Sequence, residues 1–418
     1  MRNKGDFLVP HCKMSYNIHK DKSKSTARGS GPAERVHMAE KGLVLAGGGA
    51  RGSYQVGVYK ALEELGWRPQ VITGTSVGCL NGALFVQNSW ESARDMWLSI
   101  DDHEVMRLPQ SDSPSQIAEF LAETVKNGGL DVSPLERLVD RMLDEDAIRH
   151  APIRFGLVTV NLTDHCPEEL ALEEIPQGQL KNYLLASASF FPGFRPRDID
   201  GKTFIDGGYT DNMPTALAAR LGAQELVCVD VDGVGIQRRN TTGLPTITIQ
   251  SHWPMGPLMR FDPQQARRNI ALGYWDTYRA FDRVLGTAYT LPSAQKPQLD
   301  RLCAAPYAAH LRRVLHTNPP LALTEGLALE RFGATRDPEL APLELACELA
   351  GVDPTRSYTA RQLVDAFLEQ YPAQRAQRFA AFLEEEPPLA LKEAALAAAQ
   401  PSEFTAAMVW RAVSGAEL

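Results

Sequence analysis

The chain has 418 residues, 44% apolar and 22% charged, with a formal net charge of −8. That is the composition of a folded globular protein with a sizeable core, longer than one ordinary domain. Six cysteines (Cys12, Cys79, Cys166, Cys228, Cys303, Cys347) lie far apart with no C-x-x-C pair, which argues against a disulfide framework or a zinc site and for a reducing, cytoplasmic setting.

The first 37 residues carry eight Lys or Arg against three acids and few apolar side chains, a composition that predicts disorder. Met38-Ala39-Glu40-Lys41 directly precedes the first predicted strand, so Met38 is read as the native start and the tail as an over-extended frame; a native basic tail would instead suit an anionic membrane surface. Without that segment's +5 the remaining chain stands at −13. So acidic a body is a poor partner for nucleic acid, whose phosphates need clustered Lys and Arg. No run approaches the roughly 18 apolar residues of a membrane span, and no signal-peptide core is present. A membrane would be met peripherally.

From Gly42 onward strands and helices alternate. Leu43–Ala46 reads as a buried strand, a glycine turn follows, and a helix over Ser53–Leu65 places Val56, Tyr59, Leu62 and Leu65 on one stripe. A second strand, Gln70–Thr73, leads to Ser76 and a helix over Val77–Gln87. Further strands are predicted at Arg154–Leu162, Glu169–Glu173, Glu225–Asp232 and Thr246–Gln250 from their β-branched content. Ser133-Pro134-Leu135-Glu136 has the spacing of a capping box, and Asn212-Met213-Pro214 opens a helix through Leu221. The expected fold is α/β: three layers, α/β/α, around a mainly parallel sheet. From Pro292 to Leu418 the chain is rich in Ala, Leu, Glu and Pro, with a capping box at Thr359-Ala360-Arg361-Gln362. This predicts an all-helical region at 292–418 following a catalytic domain at 38–291, with Phe379, Phe382 and Leu383 in its core.

Three motifs carry chemistry. Gly74-Thr75-Ser76-Val77-Gly78 follows a strand and opens a helix, the setting in which a serine sits on a sharp elbow with its hydroxyl exposed. Gly47-Gly48-Gly49-Ala50-Arg51-Gly52 supplies bare backbone N–H groups after the first strand. It also fits G-x-G-x-x-G, but the dinucleotide reading requires an acid capping the next strand, and Val71-Ile72-Thr73-Gly74 offers none. Asp206-Gly207-Gly208 supplies a carboxylate followed by two glycines that let backbone pass close to a cleft. Asp200-Gly201 reads instead as a hairpin turn. The nine histidines share no motif. No cluster has metal-ligand spacing, so no metal or organic cofactor is expected.

Together, in this order, the three motifs and Ala186-Ser187-Ala188-Ser189-Phe190-Phe191-Pro192-Gly193-Phe194 resemble the patatin-like phospholipases, over about residues 43–220. The resemblance implies lipid acyl hydrolysis by a two-residue machine. Ser76 would attack an ester carbonyl of a membrane or micellar glycerolipid and Asp206 would take its proton. The amides of Gly47, Gly48, Gly49 and Gly52, with Arg51 adding positive charge, would form an oxyanion hole; Gly74, Gly78, Gly207 and Gly208 would support the turns. Cys79 stands where the family more often has alanine, a change a thiol should tolerate. Two alternatives stay open: a Ser-His-Asp esterase with His252 as the first candidate base, and a non-catalytic nucleotide or lipid binder. Oligomeric state has no signature in the chain.

Overall fold

The computed structural model describes residues 39–109, 122, 124, 126, 128–332 and 337–414. The basic segment 1–37, Met38 and Cys12 lie outside the described residues. Eight strands form one sheet: β1 (Lys41–Leu45), β2 (Val71–Thr75), β3 (Arg154–Asn161), β4 (Cys166–Ala171), β5 (Arg197–Ile199), β6 (Lys202–Asp206), β7 (Glu225–Asp230) and β8 (Thr246–Gln250). Their order is β5-β6-β3-β2-β1-β7-β8, with β4 also on β3. The run β3-β2-β1-β7-β8 is parallel; β4 and β6 pair antiparallel with β3, and β5 with β6.

Alternation along the strands feeds two cores. Leu43 and Leu45 of β1 join Val227 and Val229 of β7 on one face, whereas Val44, Leu226 and Cys228 turn to the other. Helices α1 (Ser53–Glu64) and α2 (Val77–Val86) cover the first face. On the second face, α6 (Thr215–Arg220) packs through Ala218. Between these in the chain come α3 (Trp90–Trp97), α4 (Ser133–Met142) and α5 (Leu180–Ser187). The three layers are those the sequence predicts, and β2, buried throughout, and β1, buried from Gly42 on, show why: strands of a covered parallel sheet need apolar residues on both faces.

Some local expectations shift. The predicted strand at Glu169–Glu173 is β4, three residues earlier at its start. Ser133 does not cap α4; Asp131 Oδ1 accepts the Ser133 N–H at 2.9 Å and its hydroxyl, so the acid two residues upstream takes the capping role. Asp200 and Gly201, with φ of 48° and 78°, make the predicted two-residue turn between β5 and β6.

Helix α7 (Pro263–Ala280) lies along α1 so closely that a Cβ on Gly57 or Gly273 would collide with the other helix's backbone. Tyr54 of α1 donates to Asp276 (2.8 Å), which also pairs with Arg279 at 2.5 Å. Beyond α7 a small hairpin, Val284–Leu285 with Leu291–Pro292, leads into the helical region. That region contains α8 (Ala305–Thr317), α9 (Leu321–Leu329), α10 (Ala341–Ala350), α11 (Ala360–Gln370), α12 (Leu391–Ala399) and α13 (Pro401–Ser414), with short turns between them. The capping box at Thr359 forms in both directions. Phe379 and Phe382 are buried and meet Phe404 of α13 edge-on. Its core starts at Leu285, and Trp253 packs against both this core and that of the sheet.

Candidate active site

Ser76 sits between β2 and α2 with φ 55° and ψ −129°, a conformation that costs a non-glycine residue of order 1–3 kcal/mol and persists only where its surroundings enforce it. The enforcement is visible. A Cβ on Gly78 would collide with the Leu45 carbonyl, and one on Gly74 would crowd the Gly78 and Cys79 backbone, so the helix can start this close to β1 and β2 only with glycine at both places. The elbow holds Ser76 at the N-terminus of α2.

The position of Asp206 follows from the edges of β3. Strand β4 occupies one edge over residues 156–161, so β2 and β6 must share the other. Strand β2 ends with Thr75 opposite Val158, and β6, running the other way, ends with Asp206 opposite the next residue, Thr159. Two antiparallel strands thus point their C-terminal ends at each other along one line, and Ser76 and Asp206 are the residues where they meet. The Ser76 side chain lies close enough to the Asp206 carboxyl to pull its pKa down, and both residues line one cavity.

The Ala186–Phe194 segment fixes both. The Ser76 N–H donates to Ser187 Oγ (2.9 Å), whose hydroxyl donates to the Val158 carbonyl (2.6 Å). The Asp206 N–H donates to the Ser189 carbonyl (2.9 Å). Asp206 itself is 3% exposed, and its Oδ1 accepts the Gly208 N–H at 2.7 Å. Burial raises its pKa from an ordinary 3.8 to about 6, against the opposing pull of the Ser76 side chain and the Gly208 hydrogen bond. Gly207 turns tightly over β3, where a Cβ would strike the Val158 carbonyl.

The glycine loop lies beside this pair, and its amides are not equivalent. Gly47 N–H is taken by Asn212, through both the main-chain carbonyl (3.3 Å) and Oδ1 (3.2 Å), while Asn212 Nδ2 donates back to the Gly47 carbonyl (3.2 Å). Ala50 N–H goes to the Leu258 carbonyl (2.7 Å) and Arg51 N–H to Gly48. Among the described residues, the N–H groups of Gly48 and Gly49 have no protein acceptor, nor has that of Val77 in the first turn of α2. The Arg51 side chain is directed elsewhere: it pairs with Asp232 (3.0 Å) and donates to the Gly256 carbonyl (2.8 Å). Gly52 closes the turn, its carbonyl accepting from Asn81 Nδ2 (2.9 Å).

Two contributors lay beyond the sequence motifs. The sequence marks Asn212 only as a helix start; in the fold it bridges the glycine loop to the Asp206 turn and is 1% exposed. The segment 254–261, Pro-Met-Gly-Pro-Leu-Met-Arg-Phe, carries no periodicity, yet Leu258 holds the glycine loop, and Phe261 stacks on Trp97 with its N–H on Asp102 (2.6 Å).

A cavity of about 140 Å³ opens on this arrangement. Gly48, Gly49, Ser76, Asp206 and Asn212 form its polar end, and Leu80, Leu84, Trp97, Leu138, Met142 and Phe194 are among the apolar walls. Among the described residues no histidine lines it. His252 stacks on Phe332 and faces Glu348 at 3.4 Å, and His310 Nε2–H donates to the Phe382 carbonyl at 2.7 Å. Cys79 is buried behind Ser76 with its thiol pushed up to about 12 by burial, so it stays protonated. No described helix is long and apolar enough to cross a membrane.

The family model described as patatin-like phospholipase matches residues 43–219. The chain is 31% identical over 196 residues to "Patatin-like phospholipase domain-containing protein 7" of Rattus norvegicus, covering 45% of this chain and 13% of that protein. It is 29% identical over 212 residues to "Lysophospholipase nte1" of Aspergillus terreus, covering 48% and 12%. The chain thus spans only a small part of the length of these relatives. VipD from Legionella pneumophila overlaps with a TM-score of 0.38 at 16% identity, over 91% of this chain and 93% of that one. With their strand-end serine and aspartate, residues 43–219 belong to the patatin-like phospholipase family.

Proposed function

We propose that the protein is a lipid acyl hydrolase that cleaves carboxylic ester bonds of glycerophospholipids or lysophospholipids, with Ser76 as nucleophile and Asp206 as base. The observation that carries this reading is the convergence of a strained Ser76 and a buried Asp206 at the polar end of an otherwise apolar cavity. An acyl chain would occupy the apolar walls, leaving its ester beside Ser76.

Ser76 Oγ attacks the ester carbonyl while its proton passes to Asp206. The oxyanion is held by the amides of Gly48 and Gly49, with Val77 as the donor that follows the nucleophile. Collapse breaks the ester C–O bond; the leaving alcohol takes the proton back from Asp206, and the acyl group stays on Ser76. Water then gives a proton to Asp206 and attacks the acyl carbonyl; collapse breaks the acyl–Oγ bond, Ser76 Oγ takes that proton back from Asp206, and the fatty acid leaves. A carboxylate is a weak base for a serine hydroxyl, and its dry setting, which raises its pKa to about 6, narrows that gap. Gly47 and Arg51 serve in support: one ties the loop to Asn212, the other to Asp232 and Gly256. The relatives named phospholipase and lysophospholipase favour a lipid ester over a small soluble one.

The test is a panel of diacyl and monoacyl glycerophospholipids and neutral glycerides, with products identified by mass spectrometry for the wild-type protein and Ser76→Ala. Free fatty acid from a glycerophospholipid or lysophospholipid, lost in Ser76→Ala, is expected. Release confined to neutral glycerides, or release that survives in Ser76→Ala, contradicts the proposal.

A further inference from the structure

Among the described residues eight large apolar side chains are exposed, and they fall into two groups. Leu323, Leu327, Leu389 and Leu391 belong to the helical region. Phe191, Tyr209, Val234 and Ile236 line the Ser76 cavity or are in contact with, or next in the chain to, residues that do. Val234 lines that cavity, as does Phe190, which stacks on Tyr209 with ring centres 6.0 Å apart. The Tyr209 hydroxyl donates to the Phe191 carbonyl. Ile236 is bonded in both directions to the Asp206 turn: its N–H donates to Gly208 (2.8 Å) and its carbonyl accepts from Asn212 (2.8 Å).

This exposure is built in. Gly235 lies against Gly208 and Asn212, so the chain hugs the site there while the side chains on either side of it stand out, 65% exposed at Val234 and 57% at Ile236. Isolated exposed apolar residues need no explanation, but four gathered beside one apolar cavity do. Charge does not explain them. Asp232, beside Val234, is engaged by Arg51, and Arg238 is engaged by Glu169 at 3.0 Å. Their chemistry is that of a rim meeting an apolar medium continuous with the cavity.

We propose that Phe191, Tyr209, Val234 and Ile236 form the face that seats the protein on a zwitterionic lipid bilayer, so that an acyl chain passes from the bilayer into the cavity without crossing water. This rests on the ester-lipid reading for its choice of occupant. The contact is apolar and rigid, because the main chain on both sides of the rim is hydrogen-bonded to the Asp206 turn.

The experiment is flotation with phosphatidylcholine vesicles, using full-length Ser76→Ala protein so that the vesicles survive. Adding Phe191→Ser and Ile236→Ser, neither of which lines the cavity, should lower partitioning by about tenfold. Leu323→Ser with Leu327→Ser should leave it unchanged. With Ser76 intact, the rim variant should hydrolyse a monomeric short-chain ester at the wild-type rate, which shows it folded, yet lose turnover on vesicles. Unchanged flotation of the rim variant, or loss in the Leu323/Leu327 variant instead, overturns the proposal. So does rim-dependent self-association in sedimentation without vesicle binding, which would make a second copy the occupant. Rim-dependent flotation by a wild-type protein that cleaves no ester keeps the docking face and removes the hydrolase reading. Ester cleavage with rim-independent flotation does the reverse.

Discussion

Each of the two regions holds a deeply buried carboxyl group, Asp206 in one and Glu344 in the other, and the two are used differently. Asp206, at the end of a sheet strand, accepts one backbone N–H, meets a serine hydroxyl and faces a cavity. Glu344, inside helix α10, presents Oε1 to the N–H groups of Thr287, Ala288 and Tyr289, each at 2.8 Å, and pins the loop ahead of the helical region. Burial raises both pKa values. A buried, perturbed acid is therefore no mark of chemistry by itself. What separates them is the neighbour: a strained serine and open space beside one, a filled set of backbone donors around the other.

Substitution should split the pair most sharply at Asp206. Asp206→Asn keeps an acceptor for Gly208 but removes the base, so ester turnover should fall by about a thousandfold or more. Stability should move the other way. Raising the pKa from 3.8 to about 6 means the folded state holds its proton more tightly than the unfolded chain does. The associated stability is full below pH 3.8 and is lost as pH rises through about 6, at a cost of about 3 kcal/mol at neutral pH. Denaturant unfolding at pH 7 should accordingly show Asp206→Asn as stable as wild type or more so.

Asn212→Ala should have the next largest effect on turnover. It removes the clamp between Gly47 and the Asp206 turn, so the Gly48 and Gly49 amides lose their aim, and kcat should fall about 10- to 100-fold with little change in KM. A smaller effect on catalysis, close to none per folded molecule, is expected from Glu344→Ala. That change leaves three backbone N–H groups without their acceptor and should destabilise the protein by about 3 kcal/mol or more, read by thermal or denaturant unfolding. Lost turnover in well-folded Glu344→Ala would erase the contrast between the two acids.

The same contrast marks what the sequence makes legible. Ser76 and Asp206 stand out because tight turns demand glycines at fixed offsets, and the buried parallel strands stand out because both faces need apolar residues. The hairpin at Asp200-Gly201 is local and readable, but the meeting of β2 and β6 is not: it depends on β4 having taken the opposite edge of β3, a pairing settled by residues far away in the chain. Pro254–Phe261 reads as an ordinary proline- and glycine-rich loop because its contribution is made by a main-chain carbonyl, that of Leu258, which leaves no trace in residue type. Glu344 in Ala-Pro-Leu-Glu-Leu-Ala looks like a solvent-facing helix residue, since its partners are backbone amides of a loop 55–57 positions earlier. Arg51 shows the converse, a charge whose sequence position suggests the oxyanion site but whose side chain is held on Asp232.

The most direct measurement is the rate at which a fluorophosphonate labels the protein as a function of pH, with the modified peptide identified by mass spectrometry. Labelling should fall on Ser76, its rate should rise with an apparent pKa near 6, and in Asp206→Asn it should be slow and flat across that range. A label elsewhere, or an Asp206→Asn profile that matches wild type, would contradict the pairing of these two residues as nucleophile and base.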